Sequence, residues 1–152
     1  MRREPPSALE DHLGYWLRSV SNHVSRTFRR KVEAAGVQVS EWVVLRALYG
    51  GEVTSPGALV HLLGMTKGAV SKLLERLEER GLVTRTTSDV DRRQQILSLT
   101  PAGRTLVPRL ARLADENDRE FFGHMTPQLR ETVLRALQTI VEIHHLKGAP
   151  VD

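Results

Sequence analysis

Between Thr87 and Thr100 the chain reads TSDVDRRQQILSLT, with Asp89 and Asp91 just ahead of the adjacent Arg92 and Arg93. Aspartate is a turn former, because its short side chain bonds to nearby backbone. Two guanidinium groups held at the tip of a turn suit a narrow, strongly negative channel such as the minor groove of duplex DNA. In this reading Asp91 braces one arginine by an ion pair and aims the other. A solvated hairpin tip, whose surface salt bridge adds little stability, is the plainer alternative for the same residues.

A second basic group lies upstream. With Val70, Leu73, Leu74 and Leu77 turned inward on a helical wheel, Gly68, Lys72, Glu75 and Glu79 face outward, and Ser71 and Arg76 flank them. The first outward turns are small or basic (Lys67, Gly68, Ser71, Lys72), and the acids come later. That order opposes the helix dipole, which favours acids first and bases last. Gly68 costs up to about 1 kcal/mol relative to alanine. Both features make sense if the helix start approaches phosphates and base edges, since glycine permits close contact and lysine meets phosphate. A solvated face with an arbitrary charge order is the alternative.

No other cluster carries chemistry. Cysteine is absent, which excludes disulfides, thiol catalysis and cysteine metal sites. His144 and His145 are neighbours on a helix and point apart, and no HExxH, P-loop, GxGxxG or nucleophile motif occurs. Neither an enzyme activity, a metal nor a cofactor is expected. The net charge of +4 and a pI near 10.0 favour an anionic partner. At 152 residues, 40% of them hydrophobic and 26% charged, the chain fits one domain. Its apolar runs, such as Trp42–Leu45, fall far short of the roughly 20 residues a membrane helix needs. The MRREPPSALED start has no apolar core of a signal peptide. A cytoplasmic protein is expected.

The elements that must position the basic groups follow from periodicity and caps. Leu9, Leu13, Trp16, Leu17, Val20, Val24 and Phe28 form one face of a long helix that ends near Gly36. Ser40 reads as the N-cap of a helix stopped by Gly50-Gly51, and Ser55-Pro56 starts a brief one ended by Gly64. Thr66 opens the basic helix, which Gly81 closes. Two helices joined by so short a glycine turn suggest a helix-turn-helix. After Gly81 the period changes to two, so Leu82–Thr86 and Gln94–Thr100 read as a hairpin whose turn is the opening stretch. Thr100-Pro101 and Thr126-Pro127 start two further helices, with a kink expected at Pro108. The first few residues and the tail after Lys147 read as loose.

The run from Ser40 through the segment Gly57–Gly103, GALVHLLGMTKGAVSKLLERLEERGLVTRTTSDVDRRQQILSLTPAG, resembles the MarR family of bacterial winged-helix regulators. The distinctive pieces are the helix ending in LEERGLV, the DRR wing and the LTPAG that opens the next helix. The resemblance implies a mainly α fold with a small β-hairpin: one domain over 1–152, a winged helix-turn-helix over about 37–100, and dimerisation helices over about 8–35 and 101–147. It implies a homodimer on a pseudo-palindromic double-stranded DNA site. A recognition helix carrying Thr66, Lys67, Ser71 and Lys72 would sit in the major groove. Arg93, or failing that Arg92, would reach the minor groove, braced by Asp91. Ser55, Gly68 and Arg76 complete the expected DNA face.

The terminal helices carry more apolar surface than a small winged helix can bury, including Trp16, Phe28, Phe121 and Phe122, and this agrees with a second subunit. A larger monomeric core is the alternative. The family also implies a small-molecule pocket, for which His12, Tyr15, Trp16, His23, Trp42 and Arg46 are the candidates. The tryptophans would stack an aromatic ring, and Arg46 would meet a carboxylate such as that of a phenolic acid. The expected function is a sequence-specific transcriptional regulator, a repressor relieved by such a ligand. A winged helix that serves only protein contacts is the alternative.

Overall fold

The computed structural model describes residues 5–51 and 53–151. After a 3-10 turn at Leu9–Asp11 come α1 (Leu13–Ala34), α2 (Val39–Gly50), α3 (Pro56–Leu63) and α4 (Lys67–Glu79). An antiparallel hairpin of β1 (Val83–Thr87) and β2 (Gln95–Leu99) follows, then α5 (Pro101–Phe122) and α6 (Pro127–Ile143). This is the expected winged-helix order, with the flanking helices at either end.

Four helix starts follow one rule. The hydroxyls of Ser55, Thr66, Thr100 and Thr126 accept the backbone N–H three residues on, at 3.2, 3.2, 3.1 and 3.2 Å. Each bond satisfies a donor that the helix leaves unpaired. Proline occupies the first helical position of α3, α5 and α6, where no N–H is needed. The start of α2 differs from expectation. Ser40 lies inside the helix, and the cap falls on Gln38, whose N–H donates to the Glu41 carboxylate at 2.9 Å. The acid three residues on has displaced the hydroxyl as the capping group. At Pro108, where a kink is expected, α5 continues as helix on both sides.

One core joins these elements. Val44, Leu45 and Leu48 of α2, Leu59 and Leu63 of α3, and Val70, Leu73, Leu74 and Leu77 of α4 are buried together. Val83, Leu97 and Leu99 of the hairpin and Val107 and Leu110 of α5 close the cluster. The start of α5 therefore packs as part of the winged helix. β1 and β2 pair from Val83 with Leu99 to Thr87 with Gln95. The outer edge of β2 is also covered, because Leu97 N–H donates to the Thr54 carbonyl at 2.8 Å.

The LTPAG segment locks the hairpin to α5. Leu99 fills the core, and the Thr100 hydroxyl donates to the Gly81 carbonyl at 2.6 Å while its N–H reaches Leu82 at 3.1 Å. Gly103 is buried so tightly that a Cβ would lie 2.3 Å from the Leu82 carbonyl oxygen.

The two ends of the chain contrast with this core. Leu13, Trp16, Leu17 and Val20 of α1 are exposed, as are Leu129, Val133, Leu134, Leu137, Ile140 and Val141 of α6. No described residue of α6 is buried. The larger monomeric core considered from sequence is not formed by these residues. The tail, expected to be loose, is held: Ala149 N–H donates to the Leu62 carbonyl at 2.8 Å, and Val151 packs on the core.

Candidate nucleic-acid interface

α4 sits on the core through the four residues read from its wheel, and Gly68, Lys72, Glu75 and Glu79 are exposed as the wheel requires. Its first turn is exposed at Thr66, Lys67 and Gly68, with Ser71 half-buried on the flank. A Cβ on Gly68 would meet nothing within 4 Å, so no contact inside the chain explains this glycine.

The far end of α4 is clamped. Arg80 donates to the Gly36 carbonyl at 2.7 Å and to the Glu41 carboxylate at 3.0 Å. Arg76 donates to Gln38 Oε1 at 3.2 Å, and its Nε lies 3.8 Å from Glu41. Glu41 is only 3% exposed, so these cations and the Gln38 N–H supply what a buried carboxylate demands. On the other side, Arg85 of β1 donates twice to Glu78, at 2.9 and 2.6 Å. α4 is thus fixed to α2 by one ion-pair group and to the hairpin by another. Arg76, expected on the DNA face, turns its guanidinium into the first of these.

Sequence reasoning missed both clamps. Glu41 carries no local signal beyond following the expected cap Ser40, and nothing ties it to Arg76 and Arg80, well over thirty positions away.

The wing tip is built by backbone bonds. Ser88 N–H donates to the Gln94 carbonyl at 2.8 Å, and Gln94 N–H to the Asp91 carbonyl at 2.9 Å. The Asp91 carboxylate accepts the Arg93 backbone N–H at 2.9 Å. The expected ion pair is not formed: among the described residues neither Arg92 nor Arg93 pairs with Asp91. An aspartate two residues ahead reaches the main chain more readily than a long side chain, and this Asx turn fixes the backbone of the arginines instead. Arg93 also forms, with Gln94, Gln95 and Ile96, one wall of an open cleft of about 570 Å³ whose other wall is Thr54–Gly57. Ser55 and Arg93 are therefore brought together.

The lysines and arginines from α4 through the hairpin divide into two sets. Arg76, Arg80 and Arg85 are engaged with Glu41 or Glu78. Among the described residues Lys67, Lys72, Arg92 and Arg93 make no side-chain hydrogen bond or ion pair, and all four are exposed.

The residues expected to form a ligand pocket are spread out. His12, Tyr15, Trp16 and His23 are exposed on or just before α1. Trp16 Nε1 donates to the Glu10 carbonyl at 2.9 Å, with the Tyr15 ring edge-on to its own at 5.2 Å. Trp42 packs half-buried against the core, and the exposed Arg46 stacks over Tyr49 at 5.9 Å. No hydrogen bond or ring contact among the described residues joins Trp16 to Trp42 or Arg46.

A different cavity, of about 230 Å³, opens between α1, α2 and α5 and includes Val24, Phe28, Val39 and Asn117 in its lining. Asn117 interrupts the Leu106, Leu110, Leu113, Phe121 stripe of α5, a polar residue at an apolar position that the sequence already displays.

These features define a winged helix-turn-helix protein whose Lys67, Lys72, Arg92 and Arg93 are exposed and, among the described residues, unpaired. Residues 35–94 match the family model described as MarR family. A putative transcriptional regulatory protein for the hcr operon of Thauera aromatica is 26% identical over 134 residues, covering 88% of this chain and 81% of that protein. The Bordetella bronchiseptica regulator BpsR, solved in a study of how 6-hydroxynicotinic acid regulates its DNA binding, superposes with a TM-score of 0.76. It is 25% identical, over 90% of this chain and 97% of that one. CouR from Rhodococcus jostii RHA1, bound to p-coumaroyl-CoA, gives a TM-score of 0.75 at 25% identity, over 89% and 95% of the two chains. The chain is thus similar over residues 35–94 to the MarR family, and over most of its length to these transcriptional regulators.

Proposed function

We propose that the protein is a homodimeric repressor that reads a pseudo-palindromic duplex and releases it when a small molecule binds. The observation that carries the DNA reading is the division of the cations. Those at the back of α4 are consumed by buried or half-buried acids, and those at the start of α4 and on the wing are left for an outside anion. Phosphate contacts of this kind position a protein on DNA, and base-edge contacts specify the site. In this reading Thr66, Lys67, Gly68, Ser71 and Lys72 line the major groove, and Ser55 meets the backbone at the start of α3. Arg93 is the minor-groove finger, with Arg92 beside it and Asp91 setting the backbone of both. Arg76 serves the DNA face indirectly, by holding α4 in place.

The dimer reading is supported by the exposed apolar stripes of α1 and α6, which nothing within the chain covers. The winged helix over about 37–100 would then be the reading head, and the flanking helices the shared scaffold. Relief by an aromatic or phenolic ligand is supported by what BpsR and CouR bind. Tyr15 and Trp16 lie on surface that a second subunit would enclose. The absence of a helix long and apolar enough to cross a membrane among the described residues fits a regulator acting on DNA in the cytoplasm.

Selection of bound sequences from a random duplex pool tests this function. The expected product is a two-fold symmetric site with half-sites about 10 bp apart, one helical turn. Recovery of no preferred sequence would leave a winged helix used for protein contacts and overturn the proposal.

A further inference from the structure

The C-terminal tail occupies a place that its sequence does not advertise. After α6, His145 adopts a positive φ of 50° and Gly148 one of 91°, and these two residues turn the chain back across the reading head. There Ala149 N–H donates to the Leu62 carbonyl at the end of α3, at 2.8 Å. A Cβ on Gly64 would lie 3.7 Å from the Gly148 Cα, so the two backbones are in near contact. The exposed Pro150 then lines the cavity between α1, α2 and α5, together with Val24, Phe28, Val39, Asn117 and Phe122, and Val151 rests on the core.

The tail thus bonds to α3 of the reading head and lines a cavity shared with α1, α2 and α5. Its seat is incompletely satisfied. Asn117 is 4% exposed and donates to the Val24 carbonyl at 3.2 Å, but its Oδ1 has no partner among the described residues. Pro150, which shares the cavity, has no N–H to offer it. A seat that keeps a buried acceptor unpaired binds its occupant weakly.

We propose that Gly148–Val151 is a releasable strap that ties the reading head to the scaffold and sets how firmly the head is oriented for DNA. The strap rests on the proposed DNA-binding function for its consequence, but its structural part stands without it. A strapped head is preorganised and loses less freedom on binding. Releasing the strap lets α3 move against α1 and α5 and weakens the grip on DNA.

Two variants of the protein test this. One ends after Lys147. The other, Ala149→Pro, removes the single N–H that reaches Leu62 and leaves the length unchanged. Amide exchange read by mass spectrometry should speed up in peptides covering α3 in both variants, while α4 peptides keep their protection. Affinity for the duplex recovered from the random pool should fall by about fivefold, the low end of coupling between linked sites.

Unchanged exchange in α3 in the truncated protein would overturn the strap itself, whatever the DNA result. Faster exchange with unchanged or tighter duplex binding would overturn its role in orienting the head. If no duplex is recovered, the DNA function fails separately, and the exchange measurement still decides whether the strap exists.

Discussion

Two glycines that look alike in sequence should respond to alanine with opposite signs. Each lies near the start of a helix that opens with a threonine cap: Gly68 in α4 and Gly103 in α5. In a helix with open surroundings, glycine to alanine gains up to about 1 kcal/mol. Gly68 meets that condition, because nothing lies within 4 Å of its added Cβ. At Gly103 the same atom would lie 2.3 Å from the Leu82 carbonyl oxygen, 3.2 Å from Leu99 Cδ2 and 3.3 Å from the Leu82 carbonyl carbon. That oxygen is fixed by the Thr100 N–H, so α5 has to move off the hairpin. Overpacking of this kind costs about 1–3 kcal/mol or more and exceeds the propensity gain. Gly103→Ala should therefore be destabilising by about 1–2 kcal/mol, which for a chain of this length lowers Tm by about 2–8 °C. Gly68→Ala should raise Tm by about 1–4 °C on the same scale. Calorimetry at one fixed protomer concentration checks both, since association shifts Tm by mass action. Anisotropy with the selected duplex should show that the stabilised Gly68→Ala protein binds DNA more weakly, because the new methyl fills the approach to the groove. If Gly103→Ala were as stabilising as Gly68→Ala, the close contact between α5 and the Leu82 carbonyl would be refuted. Undiminished duplex affinity in Gly68→Ala would refute the role assigned to that open face.

Three further outcomes follow from the same geometry. Arg80→Ala should destabilise the fold by about 1–3 kcal/mol, less than a fully buried pair because Arg80 is partly exposed, and urea melts would show it. Arg93→Ala should weaken duplex binding by about 1–3 kcal/mol and relax the preference for A·T-rich flanks, with a smaller loss for Arg92→Ala; the reverse order in a binding titration would exchange the two assignments. Leu137→Asp places a charge on the exposed α6 stripe, so light scattering should report monomers that keep their helical circular dichroism but no longer bind the duplex. A wild-type monomer in the same experiment would contradict the dimer.

The elements were legible because their signals are local. A hydroxyl cap, a proline at the first turn and a glycine at the end each act within a few residues, and the buried stripe of α4 was readable residue by residue from its period. Ser40 misled because two capping groups competed within four residues, and the acid was the one with a second use, against Arg80. The site was only half legible. Lys67, Lys72, Arg92 and Arg93 could be named from type and spacing, but which arginines are consumed inside the chain could not, since Glu41 and Arg80 are 39 positions apart. The tail failed for the same reason: short and rich in small residues, it gives no periodicity, and its partners lie on α3, α1 and α5.

The clamps explain why charge reversed along α4 is tolerable. Lysines at a helix start and acids near its end oppose the dipole, yet the acid Glu78 is neutralised by Arg85, and Arg76 and Arg80 place positive charge at the C-terminal turn where the dipole favours it. These arginines also carry α4's orientation: both reach the buried Glu41 of α2, and Arg80 adds the Gly36 carbonyl just after α1 while Arg76 adds Gln38 at the start of α2. The lysines at the other end then contribute nothing to holding the helix and are spared for contacts outside the chain. A helix held at its back and bare at its front can present cations to a phosphate backbone without moving, so the order of charges that is costly in isolation follows from separating anchoring from reading.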